Sequence, residues 1–92
     1  MRTESFTWNN CKYFALYESE DNIIYQDTSS TVLGYARACI MTSVIDVHGW
    51  NSRDSIFKTN SIDFEEFEDL TLEEKHQRAI KEILDLHAER AA

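Results

Sequence analysis

The sequence contains no proline, and only two glycines and two cysteines occur among its 92 residues. Tight glycine-dependent turns are therefore scarce. Gly34 and Gly49 are also too far apart to form a glycine-rich phosphate loop. Cys11 and Cys39 are too few for the disulfide scaffold of a small secreted protein. Free thiols in a reducing cytoplasm are expected.

Long apolar runs are also missing from the sequence. No stretch approaches the ~20 consecutive apolar residues that a membrane-spanning helix needs. The first residues, Met1–Ser5, begin no apolar run, so no secretory signal is expected. Hydrophobic residues make up 42% of the chain and aromatic residues 12%, which indicates a folded core rather than disorder. We expect residues 1–92 to form a single domain.

Basic residues are scarce compared with acidic residues. The chain contains nine Lys and Arg residues and 17 Asp and Glu residues, and its formal net charge is −8. Because phosphate backbones are bound through Lys and Arg, direct sequence-specific binding of nucleic acid is not expected. An acidic surface suits a basic protein or nucleoprotein complex as partner, although the charge is equally explained by solubility alone. The sequence leaves both monomer and homodimer open.

The acidic residues are most concentrated between Ile62 and Glu74, where no basic residue occurs from Asp63 onward. Apolar residues, including Phe64 and Phe67, are interspersed among the acids, so the segment is predicted to be anchored on the folded surface. Five of the carboxylates are predicted to contact the partner: Asp63, Glu65, Glu66, Glu68 and Asp69. The alternative is that they only solvate a turn and the start of a helix.

Hydrophobic patterning predicts strands in the first third of the chain. Residues 6–8 resemble a short strand, and residues 11–17 and 23–26 resemble the two strands of a hairpin around a turn at 18–22. Residues 11–17 carry apolar groups on both faces, which indicates an inner strand.

The next segment, Val32 to Val47, is predicted to be a helix. Apolar residues recur at helical spacing, residues 27–31 offer N-cap oxygens, and Gly49 stands where a C-terminal glycine would close the helix. A competing interpretation is that Ile40–Val47, which is rich in β-branched residues, forms a buried strand. The helix is preferred because the N-cap oxygens, the helical spacing and the glycine at the end all agree with it.

The C-terminal region predicts a second helix from Leu72 to about Ala88. Thr71 and Glu74 form a capping-box pattern. One face carries Leu72, His76, Ala79, Ile80, Ile83, Leu84 and His87. With a short strand at 55–59, the predicted fold is α+β, with a small antiparallel sheet of three to four strands packed against two helices.

No metal or cofactor site is expected. The segment ending at Glu66 is similar to the second half of a calcium-binding EF-hand loop, but Phe57 falls on a ligand position and cannot coordinate a cation. His76 and His87 share a helix face but lie roughly 16 Å apart along the axis, too far for one ion.

No catalytic constellation is expected either. Cys39 and His48 would point to opposite sides of a helix, which excludes a thiol–imidazole pair on it. Asp46 and His48 share a face only if that segment is a strand, and one such pair is a weak sign of catalysis. The protein is therefore predicted not to be an enzyme. The larger aromatic residues are assigned to the core, with the alternative that one or two form a binding hot spot: Trp8, Tyr13, Tyr17, Tyr25, Tyr35 and Trp50.

In size, charge and composition the chain resembles phage-encoded inhibitors such as anti-CRISPR and DNA-mimic proteins, and also immunity proteins and antitoxins. The resemblance implies a small acidic interaction protein that docks on a basic, nucleic-acid-binding surface of a partner. It would act as a phage-type inhibitor of a host nucleic-acid-handling complex in the cytoplasm, the host's if phage-encoded. The alternatives are an immunity- or antitoxin-type neutraliser, or a small regulatory domain that dimerises through an apolar helix face.

Overall fold

The computed structural model describes residues 2–91, which form six strands followed by one long helix. The strands are β1 (Arg2–Trp8), β2 (Cys11–Ser19), β3 (Asn22–Gln26), β4 (Val32–Cys39), β5 (Val44–Asn51) and β6 (Ser55–Asp63). A single turn of 3₁₀ helix, Phe64–Glu66, precedes the helix α1 (Leu72–Ala91).

The strands form one antiparallel sheet in chain order, so each strand pairs with the next one. This arrangement needs only short turns. Asn9 and Asn10 connect β1 and β2 with positive φ angles of 51° and 65°, which asparagine tolerates and which suit the twist of a two-residue hairpin. The sheet is open, with β1 and β6 at its two edges.

The predicted fold is wrong, because residues 2–91 form a sheet of six strands rather than three to four, and one α-helix rather than two packs against it. The predicted helix from Val32 to Val47 is replaced by β4 and β5. Gly49, predicted to close that helix, lies inside β5. Asp27, a predicted N-cap, instead closes the turn before β4, where its Oδ1 accepts hydrogen bonds from the Ser29 and Thr31 amides at 2.9 and 3.0 Å.

Other predicted elements are confirmed. Residues 14–17 pair with 23–26 in the predicted hairpin, and β2 is an inner strand between β1 and β3. The helix α1 begins at Leu72, and the capping box is formed. The Thr71 amide donates to the Glu74 carboxylate at 3.0 Å, and the Glu74 amide donates to Thr71 Oγ1 at 3.2 Å. No helix within residues 2–91 combines the length and the apolar character that a membrane crossing requires.

The core lies between α1 and one side of the sheet, which we call the helix face. The sheet contributes Phe6, Tyr13, Ala15, Tyr17, Tyr25, Ala36, Val47 and Ile62, and the helix contributes Ala79, Ile80, Ile83 and Leu86. The helix stripe differs slightly from its prediction. Leu86 is buried although it was not assigned to the stripe, while Leu72 is 48% exposed at the helix start.

The opposite side of the sheet, which we call the open face, is not covered by any element of residues 2–91. Successive side chains of a strand point to opposite faces, so the register assigns the alternate residues to this side. The aliphatic and aromatic residues on the open face are Phe14, Leu16, Ile24, Val32, Tyr35, Val44, Trp50 and Ile56. None of them belongs to the core cluster beneath α1.

Candidate protein-interaction surface

The acidic segment forms a tight, well-anchored turn, residues 63–69, which we call the acidic turn. Its first residue, Asp63, ends β6 and caps the 3₁₀ helix by accepting a hydrogen bond from the Glu65 amide at 3.4 Å. Ile62 before it is 2% exposed, and Phe67 within it is 4% exposed. These two side chains bury the apolar side of the turn, so its carboxylates are held on an ordered surface.

All five carboxylates predicted to contact a partner are exposed to solvent. Glu66 lies 3.9 Å from Arg78, but this guanidinium also pairs with Glu82 on α1. Within residues 2–91, no Lys or Arg lies at ion-pair distance from Glu65, Glu68 or Asp69. The turn therefore concentrates negative charge with little compensation from the chain itself.

Exposed apolar side chains lie beside the acidic turn. The Phe64 amide donates a hydrogen bond to the Ser43 carbonyl at 3.0 Å, which ties the turn to the hairpin between β4 and β5. Phe64 is 42% exposed, and at the hairpin Ile40 and Met41 are 78% and 93% exposed. A shallow cleft lined by Cys39, Ile40, Val44 and Phe64, among others, separates the two segments. The surface thus combines carboxylates with apolar groups that a partner can bury.

A second cluster of polar groups lies in the core, around His76. The Tyr17 hydroxyl is 2.7 Å from Nε2 of His76, and the Tyr25 hydroxyl is 2.9 Å from Nδ1. Glu4 lies 3.4 Å from Nε2, and the Phe6 ring stacks on the imidazole with centroids 5.3 Å apart. Burial lowers the pKa of His76, an effect that the hydrogen bond and charge of Glu4 oppose. Burial also raises the pKa of Tyr25 far above its ordinary value.

The geometry of this cluster favours a structural role. His76 is 2% exposed, and both of its ring nitrogens are occupied by hydrogen bonds. No nitrogen is therefore left to accept a proton from a bound molecule. The sequence placed His76 on the apolar face of the predicted helix. The structure buries it fully because Tyr17 and Tyr25, on neighbouring strands, supply partners for both nitrogens.

The remaining candidate residues are dispersed. His87 bonds the Leu33 carbonyl at 2.8 Å and packs against Phe57, so it shares no partner with His76. The segment that resembled a calcium loop runs along the extended strand β6 and ends in the 3₁₀ turn Phe64–Glu66.

Cys39 and His48 lie on adjacent strands but not beside each other. Cys39 is opposite Val44, four residues from His48, which corresponds to about 13 Å along a strand. Since the segment is a strand, Asp46 and His48 do share the open face. There, however, each is engaged by β6: Asp46 accepts from Ser61 Oγ at 2.7 Å, and His48 Nδ1 lies 2.7 Å from Thr59 Oγ1.

The aromatic residues divide between the two faces of the sheet. Tyr13, Tyr17 and Tyr25 are buried under α1, as the core assignment predicted, and Trp8 packs against the same cluster. Tyr35 and Trp50 instead lie on the open face and are only half-buried. The sequence does not predict this division, because a helix at residues 32–47 leaves the two faces of β4 and β5 unassigned.

Comparison with known proteins identifies no relative, since no protein-family model, curated protein or solved structure matches the chain.

Proposed function

We propose that this protein is a small acidic inhibitor that docks its acidic turn on a basic, nucleic-acid-binding surface of a partner protein. The observation that carries the proposal is the dense set of exposed carboxylates on a turn anchored by Ile62 and Phe67. Folding does not require this density, because like charges held together repel one another. A partner rich in Lys and Arg would relieve that repulsion.

The two kinds of side chain on this surface would contribute differently to binding. Carboxylates steer a basic partner toward the turn and raise the rate of association. The apolar groups of Phe64, Ile40 and Met41 would then lose contact with water and slow dissociation, because desolvated apolar contacts usually supply much of the binding energy. The resemblance in size and charge to anti-CRISPR and DNA-mimic proteins supports a phage-type inhibitor of a nucleic-acid-handling complex, acting in the host cytoplasm.

The test uses the protein as bait in a bacterial lysate, beside a variant in which Glu65, Glu66 and Glu68 are replaced by lysine. We expect the parent to capture a nucleic-acid-binding protein from the lysate. Added duplex DNA should compete for the same basic surface and release the captured protein from the bait. The triple variant should associate with that protein about tenfold or more slowly at low salt, with a weaker dependence on salt. Glu73 and Glu74 are left unchanged because negative charge in the first turn stabilises α1.

A matched control replaces Asp54, Asp85 and Glu89 by lysine. These acids lie towards the far end of α1, in surface ion pairs, and the net charge changes by the same amount. The control should bind nearly as the parent does. If the folded triple variant binds with the parent's rate and salt dependence, or if control and triple variant lose binding equally, the acidic turn is not the docking surface.

A further inference from the structure

The open face of the sheet is apolar, although α1 leaves it uncovered. Its eight aliphatic and aromatic residues cross five consecutive strands: Phe14 and Leu16 on β2, Ile24 on β3, Val32 and Tyr35 on β4, Val44 and Trp50 on β5, and Ile56 on β6. Ile56 is 40% exposed, and the other seven are half-buried by their neighbours in the sheet. An antiparallel sheet with one solvated face normally alternates apolar and polar residues, with the polar ones outward. A contiguous patch that contains Trp, Tyr and Phe is typical of a protein interface.

The charges on the open face are few and of both signs. Within the sheet this face carries the basic residues Lys12 and Arg37 and the acidic residue Asp46. Glu18 and Asp63 lie at its margins. The chain as a whole carries a net charge of −8, so most of the excess lies elsewhere. Two copies of an acidic protein repel each other over most of their surfaces. The open face is the surface on which that repulsion is least.

The apolar residues lie on both sides of the middle of the sheet. Three lie on β2 and β3, and five lie on β4, β5 and β6. A two-fold axis parallel to the strands, passing between β3 and β4, would stack β2 of one copy over β5 of the other. Following the register, Phe14 would face Trp50 of the second copy, and Ile24 would face its Tyr35. A symmetric dimer requires this kind of self-complementary patch.

The axis would also place β6 of one copy over β1 of the other. Following the register from strand to strand, Thr59 of β6 would face the uncharged Thr3 of β1, and Asp63, four residues beyond Thr59, would lie past the beginning of β1. No acidic residue of β1 lies on this face, since Glu4 points to the helix side, where it approaches His76.

We propose that a second copy of this chain covers the open face, so that two sheets stack face to face between two outer helices. Six strands at about 4.8 Å spacing make a face roughly 24 Å wide, and the strands, five to nine residues long, extend roughly 17–30 Å. Two such faces would bury on the order of 1,000 Å² or more, which reaches the size of a specific interface. Stacked sheets of this kind pack about 10 Å apart. This inference is independent of what the acidic turn binds.

Analytical ultracentrifugation of the purified protein tests the proposal. We expect a mass twice the 10.8 kDa of one chain at micromolar concentrations. Ile24→Lys places a charge at the centre of the stacked sheets and should yield a monomer, or weaken the dimer by more than about tenfold. Met41→Lys introduces the same charge at an apolar residue that is 93% exposed on the hairpin, and it should remain dimeric.

A second measurement covers the case in which Ile24→Lys fails to fold. The chain has two tryptophans, so Trp8→Phe leaves Trp50 as the only indole. Its fluorescence should shift to longer wavelength on dilution as the dimer dissociates and Trp50 meets water. A monomeric parent throughout the micromolar range would overturn the proposal. A folded Ile24→Lys variant that remains fully dimeric, or a dimer that dissociates on dilution without a change in Trp50 emission, would overturn it as well.

Discussion

Gly34 and Gly49, the chain's only two glycines, lie directly opposite each other on β4 and β5 beneath α1. A Cβ added to Gly34 would lie 3.0 Å from two carbon atoms of the Ile83 side chain and would clash with the His48 carbonyl oxygen. A Cβ added to Gly49 would lie 2.6 Å from the Phe57 ring. The pair therefore leaves a smooth area of backbone on which the helix and Phe57 pack closely.

Gly34→Ala should destabilise the protein because the new methyl group meets backbone that cannot move independently. Overpacking of this kind typically costs about 1–3 kcal/mol of the free energy of unfolding. Ala38→Val is a matched control, since Ala38 lies on the same strand and face but is exposed, and it should change stability by less than about 0.5 kcal/mol. Chemical denaturation measures both variants. Equal stability of Gly34→Ala and the parent would show that the backbone of β5 and the Ile83 side chain do not approach Gly34 this closely.

Ile83→Ala should cost about 2–5 kcal/mol, because Ile83 is fully buried where α1 crosses the sheet. Leu84→Ala should cost clearly less, because Leu84 is only half-buried. The sequence assigned both residues to the apolar stripe, and only the position of the sheet distinguishes them. Thermal and urea denaturation give the comparison. A greater loss for Leu84→Ala would mean that the helix is rotated about its axis.

Tyr25→Phe should destabilise the core because it removes the hydroxyl that partners Nδ1 of His76. A buried nitrogen left without a partner costs about 1–3 kcal/mol. Tyr35→Phe makes the same chemical change on the open face, outside the core cluster, and should have a small effect on the free energy of unfolding. If the two variants lose equal stability, the His76 cluster does not contribute as described.

Stability should fall as the solution is acidified from neutral pH. Burial lowers the pKa of His76 in the folded protein below its value of about 6.5 in the unfolded chain. The unfolded state therefore takes up a proton first, and stability is lost as pH falls from about 6.5 towards the lower folded-state pKa. The slope can reach about 1.4 kcal/mol per pH unit for this one proton.

Replacing the histidine isolates its contribution to this slope. His76→Gln should flatten the dependence of the free energy of unfolding on pH between about 6.5 and 5. His48→Gln is the control. Burial and the nearby Arg37 lower the pKa of His48 in the same direction, but it is only half-buried and should contribute less. A pH profile unchanged in His76→Gln would contradict the assignment.

Thr71→Ala should shorten or weaken the first turn of α1. Thr71 Oγ1 accepts the Glu74 amide at 3.2 Å, and its loss leaves that amide without its cap. N-cap substitutions of this type cost about 0.5–2 kcal/mol. Thr28→Ala, at an exposed threonine in the turn before β4, is the control and should be nearly neutral. Amide hydrogen exchange should be faster for residues 72–75 in Thr71→Ala alone, and uniform exchange in both proteins would contradict the cap.

The incorrect helix at 32–47 has a physical explanation. Val32, Ala36, Cys39 and Val47 recur at helical spacing, yet the same segment folds as two strands. A strand with one solvated face shows a clear alternation of polar and apolar residues. In β4 that alternation is hidden, because Val32 and Tyr35 on the open face are as apolar as the residues under the helix. The β-branched run from Ile40 to Val47 was the signal that favoured the strand.

Local interactions let the sequence by itself determine the helix from Leu72, the hairpin of residues 11–26 and the surface position of the acidic turn. A capping box, a helical stripe and alternating carboxylates act within a few residues, so they do not depend on the remainder of the chain. Only the tertiary structure decided that β4 and β5 are strands, that His76 is fully buried and that one face of the sheet is left open. Each of these outcomes depends on partners outside the segment concerned. The strand β4 lies between β3 and β5 in the sheet, and Tyr17 and Tyr25 satisfy His76 across more than 50 residues. Residues 2–91 contain one α-helix, which covers one side of the sheet.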